Sequence, residues 1–139
     1  MLKNTIEIPI RFSEVDSLRV VWHGHYVKFF EDGRESFGKQ YNLGYLDIFE
    51  ADNLAVPIVD IQIQYKKPLV YGDTAIIETN FINSPAAKII FEYKIFSGKD
   101  KSLVCTGQTT QVFLNPKNMD LYITIPPYFE EWKKRNNLF

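Results

Sequence analysis

The sequence predicts an α+β fold in which an antiparallel sheet curls around one long apolar helix. Three observations lead there. Segments with period-two alternation precede and follow a single long stretch of helical period. The last strands are joined by links of only a few residues, too short for crossover helices, so those strands are antiparallel neighbours. A lone apolar helix and a sheet bury each other's faces most economically when the sheet wraps the helix.

The elements follow in order. Residues 5–12 (TIEIPIRF) alternate, with Ile6, Ile8, Ile10 and Phe12 on one face and Glu7 and Arg11 on the other. Pro9 marks this strand as an edge strand or one that carries a bulge. From Tyr26 the period changes: Tyr26, Phe30, Gly33, Phe37 and Tyr41, with Phe29 beside them, form one helical face. Asn42-Leu43-Gly44 stops the helix. A looser segment, 45–54, leads to a strand with Val59, Ile61, Ile63 and Tyr65 on one side and Asp60, Gln62, Gln64 and Lys66 on the other. KKPLVYGD is a break and turn. Residues 74–82, 88–97 and 102–114 are three further strands, joined by NSPAA and GKDK, whose Pro, Gly, Asn and Asp suit hairpin loops. PPYFEEWKKRNNLF starts with prolines, as helices often do, and is read as a short terminal helix.

The 139 residues fit one domain, 1–139, since domains commonly run to roughly 100–150 residues. An apolar fraction of 45%, with 15% aromatic, is ample for a packed core. A net charge of −1 weighs against a general nucleic-acid binder, which needs a basic face. The single cysteine, Cys105, allows no internal disulfide framework and fits a reducing compartment; in LVCTGQ it is expected to be a small buried side chain. The N-terminus lacks the features of a signal peptide, and no apolar run reaches the roughly 18 residues of a membrane span. A soluble cytoplasmic protein is expected.

The chemistry concentrates in residues 14–34, EVDSLRVVWHGHYVKFFEDGR, at the join of the first strand and the helix. Asp16 has two compatible readings. It is a turn or capping aspartate, since Asp-Ser commonly caps, or it is a general base or nucleophile beside a helix N-terminus whose free N–H groups hold an oxyanion. His23 and His25 invite a metal, but an i, i+2 pair converges poorly on a helix and no recognised ligand spacing accompanies it, so no metal site is expected. His23 is the better acid–base or hydrogen-bonding candidate, and His25 a surface residue. Glu31 is either an exposed helix carboxylate or the i, i+3 partner of Arg34. Trp22 is read as an apolar anchor.

The pattern R-F-x-E-x-D-x-x-x-x-V-x-H-x-x-Y-x-x-x-F-E-x-x-R, on Arg11, Phe12, Glu14, Asp16, Val21, His23, Tyr26, Phe30, Glu31 and Arg34, resembles the hot-dog-fold acyl-CoA thioesterases of the 4-hydroxybenzoyl-CoA thioesterase type. PLVYGD, residues 68–73, resembles a turn common in that family, and the element order matches over essentially the whole chain. The resemblance implies a five-stranded antiparallel sheet wrapped around the central helix. It also implies a homodimer with active sites between subunits, often paired into a homotetramer, and an acyl-CoA substrate whose coenzyme A is no separate cofactor. By position, Asp16 is the catalytic general base or nucleophile, the backbone amides near His25 and Tyr26 polarise the thioester carbonyl, and His23 helps to position substrate or water. Glu31, Arg19, Lys66 and Lys67 are the candidate substrate-binding residues, with Lys88 and Lys94 as further cations for the phosphates of coenzyme A. The family usually has glycine where this chain has Arg19, which points to a tight or positive-φ backbone position. The arginine also sets a cation near Asp16.

Two other readings compete: a non-catalytic module that binds acyl-CoA or acyl carrier protein, and a metal-dependent hydrolase using His23 and His25. Neither membrane nor nucleic-acid partners are expected.

Overall fold

The structure, a computed structural model, describes residues 2–138. Strand β1 (Lys3–Pro9) leads through a 3₁₀ turn (Phe12–Glu14) to the long helix α1 (His25–Tyr41) and the short helix α2 (Tyr45–Asp52). Strands β2 (Ile58–Tyr65), β3 (Thr74–Ile82), β4 (Ile89–Ser97) and β5 (Leu103–Gln111) follow. Two short strands, β6 (Phe113–Leu114) and β7 (Leu121–Tyr122), and helix α3 (Pro127–Arg135) complete the chain. The main sheet is antiparallel throughout, in the order β1-β3-β4-β5-β2. Pro9 therefore lies in an edge strand, where its missing N–H costs no ladder bond.

The stripe foreseen on α1 is the one that packs on the sheet. Tyr26, Phe29, Phe30, Gly33 and Phe37 are buried, and the Phe30 ring stacks on Tyr93 of β4 at 4.3 Å. Phe37 meets Phe91 about two turns further on. The helix ends on Asn42, which takes a left-handed conformation with φ 60°, and Leu43 N–H returns to the Gly38 carbonyl. Helix α3 closes that end of the core: Phe129 and Trp132 pack on Phe81, and the Trp132 indole N–H donates to the Tyr41 carbonyl.

Four local expectations change. The first strand ends at Pro9, because the chain turns at Phe12–Glu14 to reach the helix. The segment 45–54 contains a helix, α2, begun by the Asp47 carboxylate accepting the Gly44 N–H at 2.8 Å; only Ile48 of it is buried, so it carries no apolar stripe. The last strand stops at Gln111, and residues 113–114 pair instead with 121–122 in a small hairpin. On β2 the alternation is present but uncovered: Val59, Ile61 and Tyr65 are exposed, and β2 is the outermost strand of the sheet.

Candidate active site

The approach to the site is fixed by one buried carboxylate. Glu14 is 2% exposed; its Oε1 accepts the Arg11 N–H at 2.7 Å, and its Oε2 lies 3.1 Å from Arg11 Nη2. Burial pushes this carboxyl up, but the hydrogen bonds and charge of Arg11 outweigh it and hold Glu14 below the usual carboxylate range. The Trp22 N–H then donates to the Glu14 carbonyl, which ties the two ends of the following loop together.

That loop is a tight hairpin. Val15 bridges Val21, Asp16 N–H donates to Val20 O, and Arg19 N–H donates to Asp16 O, both at 2.9 Å. Asp16 Oδ1 accepts the Leu18 N–H at 2.8 Å, the bond of an Asx-turn, while Oδ2 has no hydrogen-bond partner among the described residues. Asp16 is exposed. Arg19 has φ 64°, so it occupies the left-handed position that the resemblance marks as glycine. Its guanidinium forms no ion pair with Asp16. The hairpin is anchored on the PLVYGD segment by Val21 N–H to Leu69 O, Tyr71 N–H to Arg19 O, and a Val20–Val70 bridge.

Helix α1 begins immediately beyond. His25 N–H donates to Trp22 O, and Gly24, the residue before the helix, supplies no side-chain cap. A side chain there would collide with the Trp22 indole. The next N–H groups of the first turn are thus left with no capping side chain, at the positive end of the helix dipole. Tyr65 of β2 donates its hydroxyl to the His23 carbonyl at 2.8 Å, and its ring packs on Tyr26. The His23 and His25 rings both lie against Trp22, at 5.0 and 5.9 Å between ring centroids. No group of three metal-ligating side chains occurs among the described residues.

The remaining predicted residues separate. The Tyr26 side chain is 3% exposed and belongs to the core, so what it can offer at the helix start is its backbone amide; burial pushes its phenol up. Glu31 is exposed, and Arg34 is not its partner, because Arg34 is buried on the apolar face and donates to Tyr93. Lys66 and Lys67 are exposed where β2 leaves the sheet, both N–H groups on Val104 O. Lys94 pairs in register with Glu78, with its side chain exposed, and Lys88 is exposed just before β4.

Sequence reasoning did not foresee the parts played by Tyr65 and Asp73. Asp73 is buried and takes the Ser97 hydroxyl and the Thr74 and Lys99 N–H groups. Together these bonds hold it below the usual range against its own burial. Gly72, with φ 93°, makes the turn before it. The PLVYGD signature pointed to Asp73; its burial could not be read from it.

Residues 10–132 match the thioesterase-like superfamily. The chain belongs to this family. YneP of Bacillus subtilis is 36% identical over 91 residues, which span 66% of this chain and 65% of that protein, a little under two thirds of its length. The acyl-CoA thioesterase YbgC of Haemophilus influenzae is 28% identical over 97 residues, 68% of this chain and 71% of the relative. Among solved structures, the DHNA-CoA thioesterase of Staphylococcus aureus superposes with a TM-score of 0.83 at 24% identity, covering 99% of this chain and 90% of that one. The resemblance read from the motif and the hot-dog fold are borne out.

Proposed function

We propose that the protein hydrolyses an acyl- or aryl-CoA thioester to the free acid and coenzyme A. The observation that carries this reading is an uncapped helix N-terminus that follows, one short loop later, a hairpin carboxylate, Asp16, whose Oδ2 has no hydrogen bond among the described residues. The YbgC relative is named an acyl-CoA thioesterase, and a relative from Crocosphaera subtropica a 1,4-dihydroxy-2-naphthoyl-CoA hydrolase. Asp16 takes a proton from water as its oxygen adds to the thioester carbon, or adds first itself to form an anhydride that water then opens. The carbonyl oxygen gains negative charge facing the first-turn amides near Tyr26, a donor set worth on the order of 10²–10³ in rate. The C–S bond breaks, and the thiolate leaves without needing an acid. His23 orients water or substrate. Arg19, Lys66 and Lys67, all exposed near this end, are the cations offered to the phosphates of coenzyme A, and Glu31 faces the acyl group. No cofactor beyond that coenzyme enters the reaction.

The protein works as a homodimer, paired further into a tetramer. Support comes from β2, an open edge whose Val59, Ile61 and Tyr65 are exposed in a single chain, the arrangement that invites a second copy. We place it in the cytoplasm. Cys105 is fully buried, its thiol pushed up to about 12 by burial, and it forms no disulfide.

The test is thiol release from a panel of aryl- and aliphatic-CoA thioesters, with light scattering on the same sample. Turnover of one class and a dimer or larger support the reading. Tight acyl-CoA binding with no release on any substrate would replace it with the non-catalytic module.

A further inference from the structure

The apolar face of α1 contains one cation. Arg34 follows Tyr26 and Phe30 at spacings of four and is 7% exposed. Its guanidinium donates from Nη1 to the Tyr93 hydroxyl at 3.2 Å, a hydroxyl that also meets Thr109, and is hydrogen-bonded as well to the side chain of Tyr45. Its Nε is buried with no partner. No carboxylate pairs with it among the described residues. Buried arginines are ordinarily paired, because an isolated buried charge is costly.

Arg34 lines a cavity of about 330 Å³ between the C-terminal half of α1, α2 and the ends of β4 and β5. Leu43, Ile48, Val56, Ile89 and Phe91 form its apolar walls. One polar group is held at its side: Gln111 donates from Nε2 to the Tyr45 hydroxyl at 2.9 Å and to Val56 O at 3.0 Å. The acidic residues at the cavity do not neutralise Arg34. Asp47 is engaged by the Gly44 N–H, and Glu35 is exposed at the rim with Lys39. Arg34 lies nine residues beyond His25 along α1, roughly 13 Å from the helix start where Asp16 acts.

A pocket of this size, apolar with one unpaired guanidinium, suits a small acid with a hydrocarbon body, since guanidinium and carboxylate match as a two-point pair. We propose that this cavity binds a small organic carboxylate, its carboxylate on Arg34 and its apolar body against Leu43, Ile48, Val56 and Ile89. The site is separate from the thioester chemistry and does not depend on it.

The test is an NMR titration of the full chain with benzoate and with its neutral isostere benzamide, reading backbone amides and methyl groups. Benzoate is expected to give saturable shifts at Leu43, Ile48, Val56 and Ile89, with affinity about tenfold or more above benzamide. Arg34→Gln is expected to erase that preference. Equal affinities, no saturable shift, or shifts centred on Trp22–Tyr26 would overturn the proposal. If Arg34→Gln does not fold, the two wild-type titrations decide by themselves, through affinity ratio and location.

Discussion

Two carboxylates of one short motif, two residues apart, have opposite fates. Glu14 is almost completely buried, and both its oxygens are bonded to Arg11. Asp16, on the hairpin that Glu14 steadies, is exposed and keeps Oδ2 unbonded. The difference teaches that a motif mixes residues that hold a loop in place with a residue that is held. A carboxylate fully occupied by its own chain is unsuited to activate water; one with an open oxygen beside an uncapped helix end is suited to it.

The sharpest break in that comparison is Asp16→Asn. Asparagine keeps the oxygen that accepts the Leu18 N–H, so the hairpin should survive while the base is lost. Steady-state thiol release should fall by about 10²–10⁴ with the melting temperature nearly unchanged. Retained rate in a folded variant would remove Asp16 from the chemistry.

Glu14→Gln should do the reverse. It should cost about 1–3 kcal/mol of stability, by urea unfolding, with activity falling only as far as the hairpin loosens. The pH dependence follows from the sign of the shift. Glu14 and Asp73 are held below the usual carboxylate range in the fold. Their contribution is therefore complete above that range and is lost as pH falls through the folded values. The gap between wild type and Glu14→Gln should close in acid.

Arg34→Met tests a buried charge without a carboxylate. It makes the α1 face continuously apolar while Tyr93 keeps Thr109, and should stabilise the chain by about 1–3 kcal/mol in thermal unfolding. Destabilisation of similar size would show that the Tyr93 bond outweighs desolvation. The smallest effect belongs to Arg19→Gly. Relief of the left-handed strain is partly offset by the freer unfolded chain, leaving a gain of about 0.5–1 kcal/mol.

The alternation of β3, β4 and β5 and the stripe on α1 were legible because both are local repeats. Helix α2 was not: it buries only Ile48 and is started by a side-chain bond from Asp47. At the site, the pattern around Asp16 and the glycine-like position of Arg19 were visible, and the latter's φ of 64° agrees. Of the two readings of Glu31, the exposed carboxylate holds and the pair with Arg34 does not, a failure that Arg34's spacing of four from Phe30 had signalled. Charge suggested the surface; periodicity pointed inward.

The sequence by itself determined the periods of its strands and helix, the hairpin turns and the family, since each rests on neighbours along the chain. Tertiary structure decided which charged groups are enclosed. Arg34 was set against Tyr93 without a carboxylate, and β2 was left as an open edge. Burial is settled by distant segments packing on a residue, and no local pattern records which segments those will be.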